Sequence, residues 1–177
     1  KINSKLHTQF GVRLPYHSIY DAPFTPSINI KYDIKKDINF RVSYARGFRA
    51  PTIKELFLEF IDINHNIIGN SNLNSEKSHS IQSCIDINIL QEENKFISLN
   101  IEGFINYLNN KITLAQIEES SAYTYFNIEN ENYYGLNYNL NTIINSHKFT
   151  FNSNIYNVEN EVFTYTKARM NMSLSYS

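Results

Sequence analysis

Along most of this chain apolar and polar side chains alternate one for one, and that regularity constrains the fold more than any other feature. Ile28, Ile30, Tyr32 and Ile34 are separated by Asn29, Lys31 and Asp33. The pattern returns at Ile38, Phe40, Val42 and Tyr44, at Ile81, Ile85, Ile87 and Ile89, and at Ile97, Leu99, Ile101, Ile105 and Tyr107. It returns again at Tyr134, Leu136, Tyr138 and Leu140, at Phe149, Phe151 and Ile155, and at Met170, Met172, Leu174 and Tyr176. A period of two puts one set of side chains on each face of an extended strand. The chain is all-β.

The links between these runs are of two kinds. Lys35-Lys36-Asp37, Gln91-Glu92-Glu93-Asn94 and Asn145-Ser146-His147 are tight, whereas 14–23, 47–77, 116–123 and 159–164 are longer. Short and long links in turn mean that the two ends of the sheet face different surroundings, as in a membrane barrel with short turns on one side and long loops on the other. Several runs reach the roughly 9–11 residues that a tilted membrane strand needs. The abundant Phe (12) and Tyr (13) largely follow the strand period, as interfacial girdles require. No apolar run approaches the roughly 20 residues of a spanning helix, and the mean hydropathy is −0.40. The expected architecture is an antiparallel up-and-down transmembrane β-barrel, here an incomplete segment of about eight strands, since the last run is still going at Ser177. Residues 1–177 then form one partial barrel domain with a long extracellular loop at 47–77. Two alternatives share the alternation: a soluble β-sandwich binding module and a passive porin-type barrel. An isolated open sheet of the membrane kind would aggregate in water through its edges and its apolar band.

Charge and side-chain chemistry remove other classes. The net charge is −1 and the basic residues are scattered, so nothing points to a nucleic-acid partner. Cys84 has no partner for an internal disulfide and reads as a small strand residue. His7, His17, His79 and His147 share no metal-ligand spacing. Glu118-Glu119 and Glu92-Glu93 fall in turns. There is no phosphate-cradling glycine loop, no nucleophile elbow and no zinc motif, so the chain does not read as an enzyme and calls for no resident cofactor. Lys1-Ile2-Asn3-Ser4 has no signal-peptide pattern.

The most distinctive stretch is Tyr44-Ala45-Arg46-Gly47-Phe48-Arg49-Ala50-Pro51, followed by Lys54-Glu55-Leu56 and by Asn70-Ser71-Asn72-Leu73, Glu76 and Ser78. It resembles the barrel signature of the TonB-dependent outer-membrane receptors, particularly those of the Bacteroidetes type, with Ser71 and Ser75 where prolines are usual. Tyr134-Gly135-Leu136 and Thr25-Pro26-Ser27 resemble further strands of that family. The motif suits a strand-to-loop transition. Gly47 is expected to take backbone angles closed to other residues, and Pro51 fixes its φ and extends Ala50. Arg49 is placed to pair with a carboxylate, Glu55 being the candidate. Ile53, Leu56, Phe57 and Phe60 have helical spacing over 52–60. Gly47, Phe48, Arg49, Ala50, Pro51, Glu55, Asn70, Leu73 and Glu76 thus read as the structural motif that folds the loop back over the barrel mouth.

The resemblance implies active import across the outer membrane: a plug domain, which this sequence does not contain, fills the barrel, and the TonB complex supplies energy through it. Outer-membrane lipid and a small nutrient (haem, cobalamin or a ferric siderophore) are the other implied partners. Candidate ligand contacts lie in the long loop: Phe57, Glu59, Phe60, Asp62, Asn64, His65 and Asn66. Haem receptors of this kind carry an iron-binding histidine in that region, which makes His65 a candidate axial ligand.

Overall fold

The alternating runs are strands in the computed structural model, which describes residues 5–63, 65–161 and 163–176. In chain order they are β1 (Leu6–Arg13), β2 (Thr25–Lys35), β3 (Ile38–Arg49), the short helix α1 (Ile53–Phe57), the small strands β4 (Glu59–Ile61) and β5 (Asn66–Ile68), then β6 (Glu76–Glu92), β7 (Lys95–Gln116), β8 (Tyr123–Ile144), β9 (His147–Asn160) and β10 (Thr164–Tyr176). Eight long strands pair antiparallel, each with the next along the chain. All ten form one barrel-like sheet, whereas a sandwich would divide them between two.

The register explains the alternation. Tyr44 pairs with Ile81, Ile81 with Ile105 and Ile105 with Tyr134, while two steps along the same face Phe40 pairs with Ile85, Ile85 with Ile101 and Ile101 with Tyr138. These rows line one face, which keeps large apolar side chains in the open: Ile81 is 40% exposed, Leu136 60% and Met172 72%. The opposite face carries polar groups that bond sideways from strand to strand. Arg41 meets Asp86 (2.5 Å), Asn100 donates to Asp86 (2.6 Å), Asn137 to Glu102 (2.9 Å) and Asn139 to Asn152 (2.5 Å), and Asn154 bonds Asn137. Short amides directly opposite one another satisfy each other across the ladder, which gives the asparagine-rich composition a structural use.

Few side chains are buried, and those that are gather where the long loop meets the far ends of the strands: Leu73, Ile112, Ala122, Ile128 and Val158. Turns lie where the links predicted them, and β1, ahead of the 14–23 link, completes the expected eight long strands with the seven alternating runs. Three details differ from the sequence expectation. The connection between β3 and β6 is residues 50–75, because main-chain pairing continues through Arg49↔Glu76. Ile34 and Ile89 sit at register shifts next to the short turns, where the ladder takes up an extra residue. No described glycine has positive φ, so Gly47 is not there for unusual backbone angles. A Cβ on Gly47 would instead collide with the Ser78 hydroxyl on the adjacent strand.

Candidate functional site

The long loop is built from its anchor upward. Thr52 caps α1: its side chain accepts from the Glu55 backbone N–H (3.2 Å), and the Glu55 carboxylate accepts from the Thr52 N–H (2.7 Å), a capping box. The helix stops at Phe57 because Leu58 turns to an extended conformation, so the helical spacing that runs on to Phe60 in the sequence is not followed. Phe60 lies instead on β4, which pairs with β5 as a small hairpin. Leu58 accepts from the Gly69 N–H (2.6 Å) and Glu55 from the Asn70 N–H (2.9 Å), closing the hairpin onto the helix. Gly69 is required for this contact, since a Cβ there would stand 2.6 Å from the Phe57 nitrogen.

Arg49 ties this unit to the sheet. Its Nε and Nη2 donate to both oxygens of Glu76 (2.6 and 2.7 Å), and its Nη1 donates to the Glu55 carboxylate (2.9 and 3.1 Å). The planar guanidinium suits this two-sided bridge, which an ammonium could not reproduce. Glu76 also accepts from the Ile112 N–H (2.6 Å), so one carboxylate joins β6, β7 and the loop. Partial burial disfavours the charge on Glu55, but the hydrogen bonds from Arg49 and Thr52 outweigh it and hold the carboxyl below its ordinary value. Farther along, β5 runs parallel to the outer end of β8 (Ile67↔Tyr123), and Asn70 donates to the Tyr125 carbonyl (2.8 Å). Asn127 accepts from the Asn74 N–H (2.8 Å) and donates to the Asn110 carbonyl (2.7 Å).

The candidate ligand residues fall on the outer part of this unit. Phe57 ends α1, Glu59 and Phe60 are on β4, Asp62 and His65 flank the hairpin turn, Asn66 begins β5, and Asn64 lies outside the described residues. The structure brings three of them together. The Asp62 carboxylate accepts from the His65 N–H (2.7 Å) and lies 3.0 Å from its Nδ1, and the Phe60 ring is 5.2 Å from the imidazole. A carboxylate on Nδ1 orients an imidazole and directs Nε2 outward, the arrangement found behind metal-bound histidines. Beside them, Asn66 Oδ1 is buried without a hydrogen-bond partner among the described residues. Phe57 is 66% exposed and stands apart from this trio.

Sequence reading missed a second polar cluster. Glu131 on β8 is 2% exposed and is contacted by Lys111, Tyr133 and Asn160. It pins the outward extension of β7 and β8, against which the loop docks, just past Asn110, whose left-handed φ of 54° breaks the ladder pair. Tyr133, two residues on from Glu131, was the one local signal; Lys111 and Asn160 are brought in by the register alone.

Comparison with known proteins agrees with this geometry. A family model described as TonB dependent receptor-like, beta-barrel matches residues 1–176. No curated protein matches the sequence. Among solved structures, the hemophore receptor HasR of Serratia marcescens, in complex with its hemophore HasA and heme, superposes with a TM-score of 0.69 at 15% identity, over 87% of this chain and 30% of its own. The siderophore receptor PirA of Pseudomonas aeruginosa gives 0.64 at 17% identity, over 100% and 38%. A mutant of the ferric enterobactin receptor PfeA of Pseudomonas aeruginosa, in complex with enterobactin, gives 0.66 at 14%, over 95% and 30%. The chain therefore spans 30% to 38% of the length of these receptors.

Proposed function

Because the chain belongs to the TonB-dependent receptor-like β-barrel family, we propose that it forms part of the wall of an outer-membrane receptor, of the Bacteroidetes type, that imports a scarce nutrient with energy from the TonB complex. The observation that carries this reading is the two-faced sheet: an exposed apolar face suited to lipid, and a face of bonded amides and charges suited to a filled lumen. A loop clamped by Arg49 at the end of such a wall suits capture of a ligand outside the membrane. The passive porin reading gives this clamp no task. Growth on haem, cobalamin or a ferric siderophore as sole source, with the gene intact and deleted, tests the proposal. Equal growth in every medium would defeat it.

Within that class haem has a specific observation in its favour, the Asp62–His65 pair with Phe60 alongside. A neutral imidazole held at Nδ1 presents Nε2 as an axial ligand and an aromatic ring as a platform for the porphyrin. Replacing His65→Ala should abolish the absorbance shift of added haem and leave siderophore growth unchanged. An unaltered haem spectrum would remove haem from the class.

A further inference from the structure

On the apolar face, whose contact with lipid in the proposed receptor is the premise here, the band of large side chains ends in tyrosines. Tyr44 on β3 and Tyr134 on β8 close the row that runs through Ile81 and Ile105, and Tyr107 stands one step farther out on β7. The next positions outward are basic. Arg46 pairs with His79, and Lys77 follows on β6 opposite Phe48. Their shared face is fixed by contact: the Tyr44 hydroxyl is 2.9 Å from His79 Nδ1, and the two rings stack with centroids 6.0 Å apart. Among the described residues neither Arg46 nor Lys77 forms an ion pair, and Arg46 Nε is buried without a hydrogen-bond partner. By contrast, Arg41 is engaged by Asp86 and Arg49 by two glutamates.

Inward of His79, one position past Ile81, the wall is indented. Ser83 and Gly103 lie opposite one another, and around them Ile81, Ile105, Tyr134 and Leu136 line an open apolar groove of about 470 Å³. A cationic patch one row beyond an apolar groove on the same face is complementary to one kind of molecule: an amphiphile with a phosphate at its head and a hydrocarbon tail. We propose that Arg46, Lys77 and His79 hold the phosphate of a lipid of the surrounding leaflet, with an acyl chain lying in the groove floored by Ser83 and Gly103. The site faces the membrane and is separate from the loop that presents His65.

The test uses the protein as its host expresses it, extracted in detergent, washed, and examined by native mass spectrometry and total-phosphorus assay. Each basic residue near an anionic headgroup is worth about fivefold in affinity, so the double variant Arg46→Gln, Lys77→Gln should lower the retained phosphorylated lipid about 25-fold. Gly103→Leu, which fills the groove and leaves the charges, should lower it as well. Lys95→Gln, at a turn on the opposite end of the strands, should leave it unchanged. Millimolar inorganic phosphate should not displace the lipid; displacement would mean a site for free phosphate and would overturn the assignment. Equal retention in wild type and double variant would also overturn it. Recovery of the protein without detergent would instead refute the membrane reading on which this one stands.

Discussion

Replacing Arg49→Ala should free the long loop without unfolding the sheet. Arg49 is 40% exposed, and its carboxylate partners Glu55 and Glu76 are 15% and 18% exposed, so both pairs lie between the exposed and the buried limit. A hydrogen bond to a charged group contributes about 1.5–3 kcal/mol when shielded, and an exposed pair about 0.2–1 kcal/mol. Taking about 1–1.5 kcal/mol for each carboxylate, the variant loses roughly 2–3 kcal/mol of loop docking, about 30- to 150-fold in the closed-to-open ratio. It also leaves two carboxylates with no cation between them. Arg49→Lys should lose most of the same amount, since one ammonium cannot bridge both partners. The assay is amide hydrogen exchange in the detergent-solubilised protein. Amides of Glu55, Leu58, Gly69 and Asn70 should exchange faster by that factor, while the β7–β8 ladder between Leu99 and Leu108 keeps its protection. Unchanged exchange at Gly69 and Asn70 would refute the clamp. Equal acceleration across β7 would show that Arg49 holds the sheet and not the loop.

The same geometry fixes three further outcomes. Gly69→Ala drives a methyl into the backbone of Phe57 and Leu58 and should cost about 1–3 kcal/mol of hairpin docking, read as faster exchange at Asn70 with the Arg49 pairs intact. Acidification should release the loop too: the Glu55 carboxyl is lowered in the folded state, so its contribution is present above the ordinary value of 4.5 and fades as pH falls through the lowered one. Exchange at 54–70 that stays flat between pH 6 and pH 3, after correction for the intrinsic rate, would contradict this. Finally, Ile101→Arg on the apolar face should cost about 2–4 kcal/mol in a urea titration of the protein folded in vesicles, and Asn100→Arg beside Asp86 far less. Equal costs would mean that the two faces have been assigned wrongly.

The strands were readable because a period of two is a local property. Where apolar residues recur at every second position, as from Ile97 to Tyr107, the sheet has one face for lipid or core whatever its partners are. The local signal is weaker where pairing is set by neighbours, and there the links between runs marked the strand ends. The segment from Leu6 to Arg13 offers only Leu6, Phe10 and Val12, with Thr8 and Gly11 between, and is a strand because Phe10 falls opposite Ile28. The outer ends of β7 and β8 are rich in asparagine and carry little alternation. They are held by the unbroken main-chain register on either side of Asn110, and by the loop that docks on them.

The candidate site divides along the same line. The Arg49–Glu55 pairing was open to inference because six residues separate the partners and a capping box already fixes Glu55. Phe60 was misplaced on the helix because i, i+3, i+4 and i+7 spacing is satisfied by Ile53, Leu56, Phe57 and Phe60, and nothing local says where the helix must end. The end is decided by Gly69, eleven residues beyond the Leu58 carbonyl it bonds. A side chain at 69 would deny that approach, and without it Leu58 has no reason to leave the helix. The β4–β5 hairpin is therefore closed onto the helix through a glycine outside it, and the orientation of His65 by Asp62 depends in turn on that hairpin. If the proposed site at His65 captures the ligand, substitutions at Gly69 should for this reason alter capture as strongly as His65→Ala does.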